Sequence, residues 1–542
     1  MNKHELTEKI KRKGIELGFS KIGIAKVEKL EHEGIKLSEW LAKGYHADMK
    51  WMEKNFDKRT NPQNILPEAK SIIVVALNYF QKISPAKIDQ GKISIYALGQ
   101  DYHIVLKSKL EKLLNFIREL VPDVKAKIYT DTGPVMEKAW ATRAGLGWIG
   151  KHTNLITKEF GSWLFLGEII CDIELEYDEP MADLCGKCTR CINACPTNAI
   201  VEPYVLDSTK CISYWTIEYK GKSFPEDISK KFGNLIFGCD ICQDVCPWNL
   251  KFQKETDVLE FKAFDYNINP DLLNLSKLSE DEFKFLYKLS PLKRAKFLGF
   301  MRNVKNAIKN LVWQKLLNFD FKCAIFDLDG VVADTFKFHR QSWGEMCARF
   351  GHNLSDEEFK KIVFGRRGKE SAKILFDGKI TEEEAENIGV EVDRIFREIA
   401  AGKLRAVDGV IEFILTLKEN GIKTGLATSA PDENVKLIFD ELNLHGLFDI
   451  VVTSKDVKHG KPAPDIFILA SEKLGCKPRE CIVFEDSIAG LISAKNADMF
   501  AIGVETTLDK NELINYADIS IKNFSEILEN LKLNKKVKDA TS

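Results

Sequence analysis

Eight cysteines crowded between positions 185 and 246 constrain this 542-residue chain more than any other feature. The first four read Cys185-Gly-Lys-Cys188-Thr-Arg-Cys191-Ile-Asn-Ala-Cys195-Pro196, the C-x2-C-x2-C-x3-C-P spacing of bacterial iron–sulfur ligation. A second run, Cys239-Asp-Ile-Cys242-Gln-Asp-Val-Cys246-Pro247, repeats the x2 and x3 steps but is one cysteine short. Cys211, between the runs, supplies the missing thiol. Two cubane clusters need eight thiolates. Three cysteines on one tight loop hold three irons of one cluster, and the fourth, followed by proline, leaves the loop toward the other. That geometry assigns Cys185, Cys188, Cys191 and Cys246 to one [4Fe–4S] centre, and Cys195, Cys211, Cys239 and Cys242 to the second. Zinc fits poorly, because its sites draw four ligands from C-x2-C pairs. Disulfides are not expected here, because the polar, charged N-terminus shows no signal peptide. Cys171 has no spacing partner and reads as a small buried apolar residue.

A chain of this length holds several domains. With 44% apolar and 29% charged residues it has the composition of a soluble globular protein. No run of about 18 apolar residues occurs, so no membrane span is expected. Oxygen-sensitive clusters and unpaired cysteines elsewhere point to a reducing cytoplasm.

The fold class that follows is multidomain α/β. Residues 1–180 read as an α/β domain, with a helix over 3–18 ending at Gly18. Strands are expected at Ile22–Ala25, Ser71–Leu77, Lys127–Tyr129 and Trp163–Ile170, and a helix at Val105–Leu120 stopping before Pro122. Residues 181–255 form a bacterial-ferredoxin-like two-cluster module, and 256–315 a short helical segment. There Leu292, Ala295, Leu298, Val304, Ile308 and Leu311 recur at helix spacing and predict one packed face. Lys293, Arg294, Lys296, Arg302, Lys305 and Lys309 fall opposite, either as a solvated face or as a contact for a phosphate backbone. The chain restarts near 311–320 with a Rossmann-like unit over 316–532, its helical cap at about 336–405, and ends in a frayed tail over 533–542.

Residues 1–310 resemble the epoxyqueuosine reductase family. The resemblance rests on Arg59-Thr-Asn-Pro-Gln-Asn-Ile-Leu-Pro-Glu-Ala-Lys-Ser, Ile95-Tyr-Ala-Leu-Gly-Gln-Asp-Tyr-His103, Asp131-Thr-Gly-Pro-Val-Met-Glu137 and Ala144-Gly-Leu-Gly-Trp-Ile-Gly-Lys-His-Thr-Asn154. Gly161-Ser-Trp, Leu166-Gly-Glu168, both cysteine runs, Cys211-Ile-Ser-Tyr-Trp-Thr-Ile-Glu218 and Ser290-Pro-Leu-Lys-Arg-Ala-Lys296 complete it in order. It implies an N-terminal cobalamin-binding domain and reduction of an epoxide on the wobble nucleoside of tRNA to an alkene, the last step of queuosine biosynthesis. Asp131 matches the family's proton donor, a role for which a carboxyl kept protonated by burial beside the corrin is expected. Arg59, Asp131, Asn154, Ser162, Ser213 and Tyr214 are expected near the cofactor, and Lys293, Arg294, Lys296 and Arg302 against tRNA. A corrinoid motif of the form Asp-x-His-x-x-Gly begins at Asp101-Tyr-His103 but lacks its glycine, which agrees with a corrinoid bound without a protein histidine. A flavodoxin- or ferredoxin-like electron donor and a monomeric state are expected. The rival readings are a two-cluster electron-transfer protein and a corrinoid reductive dehalogenase.

In the second half, the strand before Asp327-Leu-Asp329-Gly330 sets two carboxylates on one loop. Gly425-Leu-Ala-Thr428-Ser429, Gly460-Lys461-Pro-Ala-Pro-Asp465 and Ile482-Val-Phe-Glu485-Asp486-Ser487 follow in order. Together they resemble the haloacid-dehalogenase superfamily in its beta-phosphoglucomutase-like branch. The resemblance implies Asp327 as nucleophile, Asp329 as general acid and base, and Thr428, Ser429 and Lys461 on phosphate. It implies Asp327, Asp329, Glu485 and Asp486 around Mg²⁺, and a small phosphorylated metabolite as substrate. Phe364-Gly-Arg-Arg-Gly-Lys-Glu370 departs from the mutase spacing of its arginine, and Pro431 stands where mutases carry lysine, which favours phosphatase over phosphosugar mutase.

Overall fold

The computed structural model describes residues 2–376 and 379–541, with side chains as far as Lys532, so the side chains of the expected tail lie outside the described residues. The chain divides into two compact units, Met1–Asn310 and Leu311–Ser542.

The first unit is built on strands β1 (Lys21–Lys26), β2 (Ser71–Asn78), β3 (Ala126–Tyr129) and β4 (Leu164–Cys171). They form one sheet in the order β1-β2-β4-β3, every neighbouring pair antiparallel. All eight residues of β2 are buried, the outcome a continuous apolar run calls for when both faces are covered. Ile73, Val75 and Leu77 join a core with the helices Lys3–Glu16 and Tyr102–Leu120. Ile72, Val74 and Ala76, one residue out of phase, join a second core around Trp140 of the helix Glu137–Arg143. The long helix starts three residues earlier than its apolar pattern suggests, because the Asp101 carboxylate accepts the His103 backbone N–H and caps it.

The cysteine segment forms two short helices, Arg190–Ala194 and Ile241–Asp244, packed on one another. Cys211 and Cys246 stand at the N-caps of Ile212–Ile217 and Pro247–Phe252. The basic segment departs from expectation. Its first part is a 3₁₀ turn, Pro291–Ala295, and the helix runs Lys296–Asn318. Leu298 is 80% exposed rather than packed. Arg302 is buried, not on the basic face, because its fork is used to tie the chain together. It donates to the carbonyls of Trp215, Tyr219 and Gly221 at 2.8–3.0 Å and lies over the rings of Tyr219 and Phe224. Burial pushes its guanidinium down to about 10. Arg302→Ala leaves three carbonyls without their donor and should destabilise the unit by about 3 kcal/mol. Earlier loss of the visible cluster absorbance on heating reads this out.

The second unit is a six-stranded parallel sheet of β5 (Cys323–Phe326), β6 (Lys423–Ala427), β7 (Ile450–Val452), β8 (Cys481–Glu485), β9 (Phe500–Val504) and β10 (Ile519–Ile521). The order is β7-β6-β5-β8-β9-β10. Chain direction across the sheet reverses between β5 and β8, so a crevice opens at the carboxyl ends of those two strands. The segment after β5 folds into cap helices including Phe336–Arg349, Gly368–Leu375 and Glu382–Ala400, which hold their own core of Trp343, Phe359, Phe364 and Val392. Cys323 and Cys476 are joined by a disulfide, which corrects the expectation that the cysteines outside the cassette are unpaired. The Cys481 thiol lies within 4.8 Å of both. Among the described residues, no helix is long and apolar enough to cross a membrane.

Candidate active sites

The cysteine cassette folds around a cavity of about 150 Å³ lined by Cys185, Cys188, Cys191 and Cys246, with Trp248 beside them. The Lys151 ammonium donates to the carbonyls of Gly186 and Cys188 at 2.6 and 3.0 Å and pins that loop. The remaining four sulfurs neighbour one another. Burial, reinforced by the charges of Cys211, Asp240 and Cys195, pushes the Cys239 thiol up to about 12. Burial with the Cys239 and Cys211 charges also raises Cys242 well above its ordinary value. Cys195 is the exception: burial opposes ionisation, but the Thr197 hydroxyl and the Ala199 N–H, 3.2 Å from its sulfur, hold the thiol below its usual range. Thiols crowded this way are costly to ionise alone and fit a metal cluster that takes them as thiolates.

Asp131 follows β3 on a loop where its own φ is +55°, the left-handed region that L-residues seldom occupy. Its carboxylate accepts from the Tyr102 hydroxyl at 2.7 Å and from His103 Nε2 at 3.2 Å. His103 Nδ1 faces the Asp101 carboxylate at 2.7 Å. Both ring nitrogens thus meet carboxylates. Burial works against the imidazolium, but Asp101 and Asp131 outweigh it and push the group up to about 9. With both nitrogens engaged, neither is free for a metal. The Asp131 side chain is 56% exposed. Crowding works to raise the carboxyl, but the bonds from His103 and Tyr102 outweigh it and hold the group below its ordinary value. The loop thus presents a carboxylate beside a charged imidazole. Because His103 is raised on folding, its contribution to stability is fully present below its unfolded value of 6.5 and fades as pH rises through about 9. A titration of the His103 ring by NMR checks this.

Around this pair, the Tyr102 ring stacks between His103 and Phe165 at 4.1 and 4.3 Å. Lys138 donates to Asn154 Oδ1 at 2.9 Å, and Glu137 accepts the Asp131 backbone N–H. Lys293 reaches Asp101 at 2.9 Å, and Arg294 forks onto Glu218 at 2.9 and 3.0 Å, both cations remaining about half exposed. Lys296 is exposed. Other expected cofactor residues have structural partners. The Ser162 hydroxyl donates to Gln243 and accepts from Asn249, tying β4 to the cysteine segment. The Tyr214 hydroxyl donates to Asp48 at 2.8 Å. The Arg59 guanidinium caps the carbonyls of Trp51 and Lys54. Ser213 sits in the first turn of the helix that Cys211 caps.

In the second unit, Asp327 leaves the end of β5 at the crevice. Lys461, fully buried, donates to Asp327 Oδ1 at 2.6 Å and to Glu485 Oε1 at 2.7 Å. Burial pushes the Asp327 carboxyl up to about 7 despite that ammonium. Oxygens of Asp327, Glu485 and Asp486 lie within 4.8 Å of one another. Asp486 Oδ1 is buried with no hydrogen-bond partner among the described residues. Three buried carboxylates against one lysine leave negative charge uncompensated, so a divalent cation fits there. Asp329 is not among them. His339 Nε2 holds it at 2.9 Å, and the imidazole, stacked on Phe396, keeps the Asp329 carboxyl below its ordinary value against burial. The Thr428 hydroxyl accepts the Ala430 N–H, and the Ser429 hydroxyl donates to the Gly365 carbonyl of the cap at 3.2 Å. A cavity of about 60 Å³ remains under the cap, lined by Asp327, Asp329 and Thr428 together with Arg366, Asp393 and Asn434.

Residues 59–132 match the family model described as epoxyqueuosine reductase QueG, and residues 184–249 the 4Fe-4S double cluster binding domain. The epoxyqueuosine reductase of Cellulophaga algicola is 45% identical over 307 residues, which cover 56% of this chain and 98% of that protein. That of Synechocystis is 47% identical over 290 residues, 52% and 99% of the two. The chain belongs to the epoxyqueuosine reductase family. An epoxyqueuosine reductase crystallised with a tRNA-Tyr epoxyqueuosine-modified stem loop shares a TM-score of 0.54 and 28% identity, over 73% of this chain and 100% of that one. The Bacillus subtilis enzyme, solved with its catalytic aspartate loop swung out of the active site, has a TM-score of 0.54 and 27% identity over 73% and 99%. Residues 324–504 match the haloacid dehalogenase-like hydrolase model, so the second unit carries a domain of that hydrolase family.

The reductase motifs contained the partners of Asp131 without ranking them. Tyr102 and His103 stood in the Asp101-Tyr-His run, and Glu137 and Glu168 in two others. Their roles became visible only when the strand register set β4 beside β3. Asp393 and Asn434 carried no signal. They come from a cap helix and a core helix, and Asn434 Nδ2 meets Asp393 at 2.9 Å only after folding.

Proposed function

We propose that the first unit reduces the epoxide of epoxyqueuosine in tRNA to the alkene of queuosine, with cobalamin and two [4Fe–4S] clusters held by the eight cysteines in the two sets given above. The observation that carries this reading is the likeness to family members over nearly their whole length, joined to an Asp131 loop primed by His103 and Tyr102. When bound beside Asp131 and Asn154, cobalamin would supply a low-potential nucleophilic metal centre. The chain's own residues manage protons and position. His103 holds a proton beside Asp131, Tyr102 fixes the carboxylate, and the Glu137 contact to the Asp131 N–H keeps the loop turned in. In the Bacillus subtilis relative the corresponding loop takes a second position, in line with the left-handed backbone at Asp131. Half-exposed Lys293 and Arg294 with exposed Lys296 offer cations to the tRNA backbone next to this site. Arg302 drops out of that surface. A flavodoxin- or ferredoxin-like protein provides electrons in the cytoplasm. Anaerobic protein loaded with cobalamin, given reductant and tRNA bearing epoxyqueuosine, should yield queuosine by mass spectrometry of the nucleosides. Bound cobalt separates this reading from a plain electron carrier.

For the second unit we propose a Mg²⁺-dependent phosphatase. Asp327 attacks phosphorus, the substrate oxygen leaves with a proton that the charged His339 imidazole passes through Asp329, and water then cleaves the aspartyl-phosphate with its proton taken up by Asp329 and His339. Thr428, Ser429 and Lys461 surround the phosphoryl oxygens, and Asp327, Glu485 and Asp486 hold the ion, which offsets negative charge between enzyme and substrate. A small phosphorylated metabolite is the substrate class this reading implies. A screen of phosphate esters that detects phosphate release with Mg²⁺ and none with EDTA tests it.

A further inference from the structure

Residues 148–156 border the cavity lined by Cys185, Cys188, Cys191 and Cys246. Trp148 packs on Cys185 and Cys246, Lys151 pins the cysteine loop, and His152 lines the cavity beside the four thiols. His152 is 4% exposed and takes no part in the reaction scheme above. Its Nδ1 accepts the backbone N–H of Asn154 at 3.2 Å. A nitrogen that accepts carries its lone pair and no proton, so the ring is neutral and its single N–H sits on Nε2. That Nε2 is buried and has no hydrogen-bond partner among the described residues. With Nδ1 turned to the chain, the edge of the ring that carries Nε2 is left to the cavity. Gly150 makes room for the ring, since a Cβ there would stand 3.1 Å from His152 Cε1. A donor shut away from water is costly unless an acceptor reaches it. The thiols beside it supply that acceptor once they bind iron as thiolates.

We propose that His152 donates its Nε2–H to a sulfur of the [4Fe–4S] cluster held by Cys185, Cys188, Cys191 and Cys246, and so raises the reduction potential of that cluster. The inference rests on the cluster assignment within the reductase reading. Reduction adds one electron, supplied by a low-potential protein or chemical reductant. The added charge spreads over the cluster sulfurs and strengthens every N–H···S bond to them. The bond therefore favours the reduced cluster, and hydrogen bonds to sulfur are among the levers that set such potentials. No proton is transferred, because the imidazole keeps its N–H in both states. Trp148, Ile156 and Trp248 crowd the same thiols with apolar surface, which strengthens the bond by lowering the local dielectric. The other four cysteines have their own donors, such as the Ala199 N–H at 3.2 Å from the Cys195 sulfur. Separate groups thus tune the two clusters, and a change at His152 acts on one of them.

Redox titration of the anaerobic full chain, with both clusters and without cobalamin, followed by EPR, gives a potential for each cluster. His152→Leu should lower one of them, with about a tenfold loss in the ratio of reduced to oxidised cluster at fixed poise, or about 59 mV for a one-electron couple. The second cluster should keep its wild-type potential. His152→Gln, whose amide can donate again, should recover most of the shift. Pulsed EPR of reduced wild type labelled with nitrogen-15 histidine should show a histidine nitrogen coupled to a cluster, and the coupling should vanish in His152→Leu. If His152→Leu loses its cluster, the pulsed measurement on the wild type decides. Equal potentials in wild type and His152→Leu overturn the inference and leave the reductase reading standing. So does a wild-type cluster with no coupled histidine nitrogen. A wild type that assembles no [4Fe–4S] cluster overturns the reductase reading, and the role of His152 falls with it.

Discussion

Asp327→Asn abolishes phosphate release by the second unit, a fall of at least about 10⁴-fold, on the scale seen when a hydrolase loses its nucleophile. The amide keeps the size of the side chain and can still lie beside Lys461, so the fold has no reason to change. What it loses is the anionic oxygen that attacks phosphorus. It also removes one of the three clustered carboxylates, and Mg²⁺ affinity should drop with it. Lys461 would keep Glu485 at 2.7 Å as its remaining counter-ion. Phosphate release by malachite-green assay, with Mg²⁺ binding followed by calorimetry, checks both parts. Queuosine formation by the same preparation should stay at the wild-type level, because nothing in the proposed reductase chemistry uses Asp327. A variant that retains a tenth of the wild-type phosphatase rate would exclude the aspartyl-phosphate route.

The contrast between Asp327 and Arg302 shows what the sequence made legible. Asp327 belongs to a local pattern, an apolar strand running into an acidic loop, and a parallel sheet follows from such strands alternating with helices. The cysteine spacings were equally local, and four of the eight thiols do line one cavity. The two central strands of the first sheet, β2 and β4, were visible as apolar runs because both sheet faces are buried there. Arg302 was misread because charge suggests solvent, and only folding brings three carbonyls from residues 215–221 against its guanidinium. The partners that set the charge of Asp131 were hidden in the same way. The imidazolium that keeps it ionised lies 28 positions away on another element. The Cys323–Cys476 bond, with a sequence separation of 153, had no spacing to announce it. Local chemistry is legible from residue types and intervals, whereas protonation and pairing depend on which distant elements meet.

Asp131→Asn should lower queuosine formation by about 10²- to 10⁴-fold, the range for losing a positioned acid or base. Asparagine fits the loop, since it tolerates the left-handed backbone that Asp131 adopts at φ +55°, and its N–H can still donate to Glu137. Its carbonyl can still accept from Tyr102 and His103. What it cannot do is pick up the His103 proton and pass it on. The imidazole then loses one of its two carboxylates, so its titration should move down from about 9 while Asp101 still holds it. That shift separates a chemical role from a structural one. A collapsed loop would alter cluster spectra and tRNA affinity, whereas a missing proton relay leaves both intact and changes rate and histidine titration together. Single-turnover kinetics of the cobalamin-loaded enzyme, paired with NMR of the His103 ring, measure the two quantities. A variant with the wild-type rate and a shifted histidine would show that Asp131 tunes His103 without carrying a proton to the epoxide oxygen. In that case His103 would be left as the donor nearest the substrate.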